Sequence, residues 1–548
     1  MDMSAAAGLS SEMREMVLET ARTVMARDLP PEQSLELDHH EKFPGELIRT
    51  FLSPEVGLHL LFLPEDAGGL GGGAWDIALL AETMSAHDMG VATAFLAICL
   101  GLDPIRVAGT ESQRAHWLSR IGEEGLIVAY GVTEPEAGSN VAALRTSAER
   151  ITGAAGEVTG YRLNGTKQFI TNGGVADLYT ILANAPGGPS FFVIEAATQG
   201  IAAGKKEDKH GIRASDTTSL ILEDCRIPAD NLLGNVEGQA LQQANRVFGF
   251  TRLLVASMAL GAGRGALERA FAYARTRIQF GTPLIEKEGY ALKLLVPHQV
   301  DLAAGRAYAE LIARRIDQGA EDQMVEGSIA KYWCTEAANR AADAAIQALG
   351  GYGYSREYMV EKFRRDVRIT TIFEGTSEIQ QSIIGLYRWK ATVRSKGEFY
   401  ESQARELDEL HGQRPELGCE LVAAALRNLN DTISFCHGTK LTRHQIVMFT
   451  LADMVTRAEV AVALCRQTAA KAQDPAGAAT SRIFAQKTLT ENCLAARLAA
   501  TGFGANQDLA AGTAASELLE QVQRCWQTCA EAPGLFTDMA IVADALRR

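Results

Sequence analysis

A single β-rich block between two long helical stretches is the sequence feature that most constrains the fold of this chain. Short alternating or β-branched runs, separated by Asn-Gly, Gly-Gly and Pro-Gly-Gly turns, fill residues 126–234. They predict strands at residues 169–171, 178–183, 190–195 and 219–222. On both sides apolar residues recur at three- and four-residue spacing, as at 13–27, which predicts amphipathic helices. Because βαβ alternation is missing from the pattern, we expect an α+β fold rather than a doubly wound sheet.

These textures divide the 548 residues into four predicted domains, which suits a chain of this length. The first is an N-terminal α-helical domain (1–125), and the second is a middle β-sheet or barrel domain (126–237). A second α-helical domain, expected to be a four-helix bundle, covers residues 238–393. An additional α-helical domain forms the C-terminal extension (394–548).

Charge and composition argue against several classes of partner. Lys and Arg number 53 against 67 Asp and Glu, a net charge of −14, and so acidic a surface repels phosphate backbones and anionic lipids. The longest uninterrupted apolar run, residues 94–102, is too short to span a membrane, and no basic and apolar leader opens the sequence. The nine cysteines include no CxxC pair, which indicates reduced core thiols and no metal site. We therefore expect a cytoplasmic protein that binds neither nucleic acid nor membrane.

The two helical stretches that follow the β-rich block contain an internal repeat. Residues 328–354 resemble 479–505 at a constant offset of 151 positions, and the preceding helices, 301–315 and 452–466, also correspond. The paired positions include Lys331 with Arg482, Trp333 with Phe484, Gly351 with Gly502, and Gly353 with Gly504. Two Ala-rich amphipathic helices would look alike without common descent, but the shared Gly-aromatic-Gly ending favours a duplication. Gln347 becomes Leu498 in the second copy, so we predict that this copy is a scaffold that has lost a polar contact.

Three stretches carry chemistry. In YGVTEPEAGSN (residues 130–140), hydroxyls and backbone N–H groups surround a turn and suit an anionic or carbonyl-rich ligand. LNGTKQFITNGGVADLYTILA (163–183) is predicted to be a hairpin that presents an aromatic face and then a hydroxyl. In FRRDVRITTIFEGTSEIQQ (363–381), Glu374 follows an apolar run and Thr376 can cap the next helix. From these residues alone, Glu374 is either a buried base with a raised pKa or an ordinary acid at a helix start.

Together these stretches resemble the acyl-CoA dehydrogenase family of flavoproteins over residues 10–390, with the motifs in the family's order. Residues 130–140 look like the family's first signature and residues 350–380, GGYGYSREYMVEKFRRDVRITTIFEGTSEIQ, like its second. KEDKHGIRASDTTSLILEDCRIPADNLLG (206–234) and YARTRIQFG (273–281) are further landmarks. The C-terminal extension is similar to that of the very-long-chain type, which implies a homodimer.

The resemblance implies FAD-dependent α,β-dehydrogenation of an acyl-CoA thioester, with electrons passed to an electron-transfer flavoprotein. Glu374 falls on the family's catalytic-base position. Some branches place the base on a helix of the second α-domain, where this chain has Thr251, which cannot serve. For the substrate, the matching positions are Ser139, Arg252 and Gly375. An ordinary surface or salt-bridged role is nearly as well supported for Arg252, because Gly249 replaces the acid that many relatives place beside it.

The resemblance also implies a flavin site. The Tyr130–Thr133 backbone and the Thr133 hydroxyl would donate hydrogen bonds to the N1–C2=O edge of the ring, and residues 169–171 would cover the ring near N5. Phe169 replaces the usual Trp there, and a neighbouring subunit would contribute to the pyrophosphate and adenosine site. The residues implied to bind FAD are Tyr130, Val132, Thr133, Phe169, Ile170, Thr171, Arg277, Phe280, Gln347, Gly350, Gly351, Thr376 and Glu378.

Two other functions stay open at this point. The chain could be an acyl-CoA oxidase or another catalytically altered relative, or a non-enzymatic assembly factor that uses the same fold. The acyl group is open as well: the helix near residues 91–102 would set the depth of the acyl pocket, and Phe95 either shortens that pocket or belongs to the core.

Overall fold

The computed structural model of the chain describes residues 8–320, 322–502, 509–532 and 534–547, and Gly504 of the repeat lies outside these residues. The chain forms two compact units. The first unit comprises Met1–Gly265, Ala313–Met324 and Lys362–Ile369. The second comprises Ala266–Ile312, Val325–Glu361 and Thr370–Arg548.

The first unit opens with six helices whose ends follow local sequence signals. Their bounds are α1 Ser11–Asp28, α2 Pro31–His39, α3 Gly45–Leu52, α4 Ala74–His87, α5 Met89–Ala108 and α6 Glu111–Glu124. The side chain of Ser10 caps α1, and Asp88 caps α5 by accepting a hydrogen bond from the Val91 N–H. Thr110 and Gln113 form a capping box at the start of α6, which ends at the left-handed Gly125. The predicted helix over 13–27 is therefore confirmed.

Helix α5 is the most apolar of these helices. Among the described residues it is the one helix long and apolar enough to cross a membrane, but 78% of its most apolar window is buried inside the protein. Phe95 lies fully buried on α5 and packs against Phe51 and Phe62, each at 5.3 Å between ring centroids. These contacts are typical of a core helix, and they assign Phe95 to the core of the N-terminal helices.

A seven-stranded sheet follows in the same unit. Its strands are β1 Val128–Gly131, β2 Ser147–Thr152, β3 Val158–Thr171, β4 Leu178–Ala185, β5 Gly188–Glu195, β6 Ile201–Lys206 and β7 Thr217–Pro228. They lie in the order β1-β4-β2-β3-β7-β6, with β5 paired to β4. All four predicted strands are present within β3, β4, β5 and β7.

The predicted hairpin over residues 163–183 is wrong. Strand β3 pairs with β2 and β7, whereas β4 runs parallel to β1 and antiparallel to β5. The connection leaves β3 because the Asn172 amide donates to the Ala94 carbonyl of α5 at 2.8 Å. At its other end, the Asp177 carboxylate accepts from the Ile127 N–H at 2.8 Å, which holds β4 beside β1. An Asn-Gly-Gly sequence marks a turn but does not specify which strand comes next.

In the described residues after the sheet, the regular elements are helices, apart from a short hairpin of β8 Ile278–Gln279 and β9 Thr282–Pro283. Up to residue 394 they are α7 Ala240–Thr276, α8 Glu288–Leu294, α9 Val296–Asp317, α10 Met324–Leu349, α11 Met359–Val367 and α12 Ser377–Arg394. The extension adds α13 Glu398–Gln413, α14 Cys419–Gly438, α15 Gln445–Ala469, α16 Pro475–Thr501, α17 Leu509–Glu531 and α18 Leu535–Arg547. The α+β prediction, with an additional helical region at the C-terminus, is confirmed, whereas the four domain boundaries stay a prediction.

Corresponding residues of the two repeat copies meet within the second unit. The Trp333 and Phe484 rings pack edge to face at 5.2 Å, and the Tyr308 hydroxyl donates to Glu459 at 3.3 Å across the same offset of 151 residues. In a twofold arrangement, residues near the axis contact their own equivalents. The two contacts are therefore of the kind that an internal twofold relation between the α9–α10 and α15–α16 pairs predicts.

Candidate active site

Glu374 lies on the short loop that precedes α12 in the second unit. The side chain is half-buried, and the residue has a positive φ of 53°, which a non-glycine residue adopts at a cost of about 1–2 kcal/mol. Thr376 caps α12 by accepting from the Ile379 N–H at 3.4 Å, and Glu378 is the acid of the first helical turn. Glu374 is thus outside the helix, so Glu378 and not Glu374 takes the place of the helix-start acid.

Two side chains hold the main chain of this loop. The fully buried Lys331 on α10 donates from Nζ to the Gly375 carbonyl at 2.7 Å. The equally buried Gln380 on α12 donates from Nε2 to the carbonyls of Glu374 and Gly375 at 2.9 and 3.0 Å. A hydrogen bond from a charged group contributes about 1.5–3 kcal/mol, enough to offset the backbone strain at Glu374.

Gly375 is required by both conformation and space. Its φ is +89°, and a Cβ at this position would lie 2.6 Å from the Gln380 amide nitrogen. Only glycine tolerates this combination without displacing Gln380. The glycine of the sequence motif is therefore a structural requirement of the loop.

The two segments predicted to contact the flavin ring lie side by side in the first unit. Residues 130–133 end β1, residues 169–171 end β3, and the Gln168 N–H donates to the Thr133 carbonyl at 2.9 Å. Tyr130, Val132 and Thr133 are all half-buried. The structure thus brings this part of the predicted site together.

A buried ion pair fastens the same two segments. Lys167, fully buried, donates from Nζ to Glu134 at 2.6 Å and to the Val132 carbonyl at 3.2 Å. Burial lowers the pKa of Lys167 to about 8, and the Glu134 carboxylate opposes that shift. Glu134 also accepts from the backbone N–H groups of Arg145 and Thr146 at 2.6 and 3.1 Å. The Lys167 bonds hold the loop after β1 against β3, and the two backbone bonds hold the same loop against the segment before β2.

The end of β3 presents one aromatic ring to its surroundings. Phe169 has a φ of 59° and is 64% exposed, whereas the side chain of Ile170 is buried and that of Thr171 half-buried. Ile170 can therefore contact a ligand through its main chain but not through its side chain. An aromatic side chain so exposed in a left-handed conformation suits a site for a planar group.

The predicted substrate contacts in the first unit differ in burial. Ser139 is exposed, whereas Arg252 is buried and its Nη1 donates to the Met324 carbonyl at 3.1 Å. Burial excludes an exposed surface role for Arg252, whereas the salt-bridged role considered from the sequence stays open beside the proposed substrate contact. Thr251, at the alternative base position, is also buried.

The remaining predicted cofactor residues form an exposed group in the second unit. Phe280 is 97% exposed with a φ of 50°, and Arg277 and Gln347 are exposed too. A Cβ atom added at Gly350 or Gly351 would meet no other atom within 4 Å, so the backbone there is open to a ligand. The Tyr273 and Tyr352 rings, 6.1 Å apart, join the segment before Arg277 to the turn after α10.

These residues fit FAD in chemical type. Exposed guanidinium and open glycine backbone suit a pyrophosphate, and exposed aromatic rings suit the two ring systems of a dinucleotide. Sequence reasoning missed the four buried side chains that hold the loops: Lys167, Glu134, Lys331 and Gln380. No short-range signal was present for the two lysines, since Lys331 and Lys167 meet their acceptors 44 and 35 residues away.

Comparison with known proteins supplies the family. The N-terminal, middle and C-terminal domain models of acyl-CoA dehydrogenase match residues 11–124, 129–225 and 238–386. Similar relatives include an acyl-CoA dehydrogenase of Bacillus subtilis, 35% identical over 68% of this chain and 96% of the relative. The NADH-dependent acryloyl-CoA reductase of Anaerotignum propionicum is 34% identical over 68% of this chain and 93% of its own.

Solved structures extend the likeness. Butyryl-CoA dehydrogenase from Megasphaera elsdenii is 34% identical, covers 70% of this chain and 99% of its own, and has a TM-score of 0.64. An FAD complex of an acyl-CoA dehydrogenase from Bacillus anthracis covers 100% of this chain and 97% of its own at 24% identity, with a TM-score of 0.84. This second likeness shows that the whole fold, including the C-terminal extension, also occurs in another protein. The chain belongs to the acyl-CoA dehydrogenase family, and it is an oxidoreductase that acts on a CH–CH group.

Proposed function

We propose that this chain oxidises an acyl-CoA thioester to the 2,3-enoyl-CoA with FAD as cofactor and Glu374 as the base. The observation that carries the proposal is the placement of Glu374: outside α12, half-buried, on a main chain fixed by Lys331 and Gln380. A helix-start acid would need no such support, since Glu378 already lies in the first turn. Two further observations support the proposal: the chain belongs to the acyl-CoA dehydrogenase family, and the segments at the ends of β1 and β3 lie side by side.

Each residue has a stated task in the proposed reaction. The Glu374 carboxylate accepts the α-proton, and its backbone N–H helps to polarise the thioester carbonyl, which makes that proton more acidic. Bound FAD supplies the hydride acceptor for the β-carbon. The Tyr130–Thr133 backbone and the Thr133 hydroxyl donate hydrogen bonds to the cofactor, and Phe169 covers the ring.

The further ligand contacts are proposed by residue. Ile170, through its main chain, and Thr171 lie beside the cofactor with Val132, and Thr376 and Glu378 border it from the loop of the base. Arg277, Phe280, Gln347, Gly350 and Gly351 serve the cofactor of a partner subunit in a homodimer. Ser139, Arg252 and Gly375 contact the acyl-CoA.

The test is anaerobic titration of the purified FAD-loaded chain with acyl-CoAs of graded length. We expect bleaching of the flavin spectrum by the parent chain. Glu374→Gln should retain FAD and lose turnover by about 10²–10⁴-fold, because a positioned base contributes that much. Unchanged turnover in Glu374→Gln would show that Glu374 is not the base. A parent chain that cannot take up FAD would exclude the enzyme and favour the non-enzymatic assembly factor.

The electron acceptor separates two candidate functions. We propose an electron-transfer flavoprotein as the partner, in a soluble, cytoplasmic enzyme. A similar structure, a prolyl acyl carrier protein oxidase at 28% identity, favours oxygen as the second candidate. Oxygen consumption during turnover that matches product formation would establish the oxidase. Sedimentation checks the homodimer, which a stable monomer or tetramer would contradict.

A further inference from the structure

A buried cation reaches the loop that carries Glu374. Lys331 lies in the middle of α10, fully buried, and its Nζ donates to the Gly375 carbonyl at 2.7 Å. An apolar side chain would pack at an interior helix position without the cost of burying an ammonium group. Packing alone therefore does not explain a lysine at this position, whereas the hydrogen bond to the loop does.

Lys331 and Gln380 act on adjacent peptide groups from two different helices. Gln380 donates to the carbonyls of both Glu374 and Gly375, and Lys331 donates to the second of these. Glu374 and Gly375 have positive φ angles of 53° and 89°. Because φ sets the direction of the Cα–Cβ bond, a main chain fixed in this conformation also fixes where the Glu374 side chain begins.

We propose that Lys331 is a positioning residue for Glu374, which it serves by holding the Gly375 carbonyl so that the carboxylate meets the α-proton. The inference rests on the proposed function, in which that proton moves from the substrate's α-carbon to a Glu374 oxygen. Lys331 neither gains nor loses a proton in this step. Its effect is geometric, and a displacement of about 1 Å at a reacting group can cost 10²-fold in rate.

The experiment isolates proton removal from the rest of turnover. The FAD-loaded full chain is incubated in deuterated water with an acyl-CoA analogue that has sulfur in place of the β-carbon. Such an analogue can lose its α-proton but cannot give up a hydride, so mass spectrometry of deuterium uptake reports the base alone. For Lys331→Met we expect exchange and kcat to fall about 10–100-fold, with KM and FAD content unchanged.

The repeat offers a matched control and a rescue. Arg482, the counterpart of Lys331, donates to the Glu416 carbonyl in the extension, far along the sequence from Glu374. Arg482→Met should remove a similar contact and leave the exchange rate of the folded enzyme unchanged. Lys331→Arg should recover most of the exchange, because it keeps a cationic donor that can reach the same carbonyl.

The outcomes separate this inference from the proposed function. Exchange lost in Glu374→Gln but retained in Lys331→Met overturns the role of Lys331 alone, as does an equal loss in Arg482→Met. Exchange retained in Glu374→Gln overturns the base itself. If Lys331→Met does not fold, Lys331→Gln removes the charge and shortens the side chain but keeps a polar group, and full exchange by that variant would overturn the inference.

Discussion

The two copies of the helical repeat use the same kind of side chain for different tasks. In the first copy, Lys331 on α10 donates to the carbonyl of Gly375, next to Glu374. In the second, Arg482 on α16 donates to the carbonyl of Glu416 and pairs with Asp538 on α18. A cation that donates to a loop carbonyl is therefore common to both copies, whereas only the loop of the first copy carries the proposed base.

At their exposed ends, the two copies differ in the polarity of the corresponding residue. Gln347 near the end of α10 is exposed and polar, whereas its counterpart Leu498 on α16 is 65% exposed and apolar. The buried contacts between the copies are kept, since Trp333 packs on Phe484 and Tyr308 donates to Glu459. The two copies therefore share a buried packing surface, whereas their exposed ends differ in polarity.

The largest expected effect comes from the buried polar cluster between the copies. Glu459 accepts from Arg388 at 2.7 and 3.0 Å and from Tyr400 at 3.1 Å. Glu459→Leu leaves Arg388 with Glu326 alone, so we expect a loss of about 3 kcal/mol in the free energy of unfolding, measured in urea. Adding Arg388→Met should recover much of it, because an apolar pair removes a buried cation that has lost one of its two carboxylate partners. A single variant as stable as the parent would show that this cluster does not join the copies.

A smaller effect on stability is expected where the Trp333 and Phe484 rings meet between the two copies. A double-mutant cycle of Trp333→Leu and Phe484→Leu should give a coupling energy of about 0.5–1.5 kcal/mol, the range of edge-to-face aromatic pairs. Thermal or urea unfolding of the four proteins measures it. Strict additivity of the two substitutions would mean that the rings only lie near each other and do not stabilise the contact.

The smallest change in stability is expected where the copies diverge. Gln347→Leu imports the residue of the second copy, and both positions are exposed, so the free energy of unfolding should change by less than about 0.5 kcal/mol. The proposed role of Gln347 predicts weaker retention of FAD on gel filtration. Leu498→Gln is the matched reverse change and should alter neither quantity. Equal FAD retention by all three proteins would take Gln347 out of the cofactor site.

Much of the fold could be predicted because its signals are local. Helix α1 follows its apolar spacing, and Thr376 caps α12 as its position before Ser377 indicates. The hairpin predicted over 163–183 failed for the opposite reason. Its turn residues were recognised, but the partner of β4 is set by contacts with Ala94 and Ile127, which are far away in sequence.

The candidate site divides in the same manner. The motifs name Glu374, Thr133 and Phe169, because functional loops keep their residue types together in short stretches of sequence. Lys331 and Lys167, which hold those loops, meet their acceptors 44 and 35 residues away. No short-range pattern encodes such contacts, so the motifs alone left the supporting residues unnamed.

Local sequence patterns were sufficient to predict most helices and strands, the family resemblance and the carboxylate that is the candidate base. Steric limits and hydrogen bonds among neighbouring residues are enough for that. The burial of Phe95 and Arg252, and the lysine that holds the loop of Glu374, became visible with the folded chain. Burial and long-range hydrogen bonds depend on which distant segments pack together, and that follows from the free energy of the whole fold rather than from any one stretch.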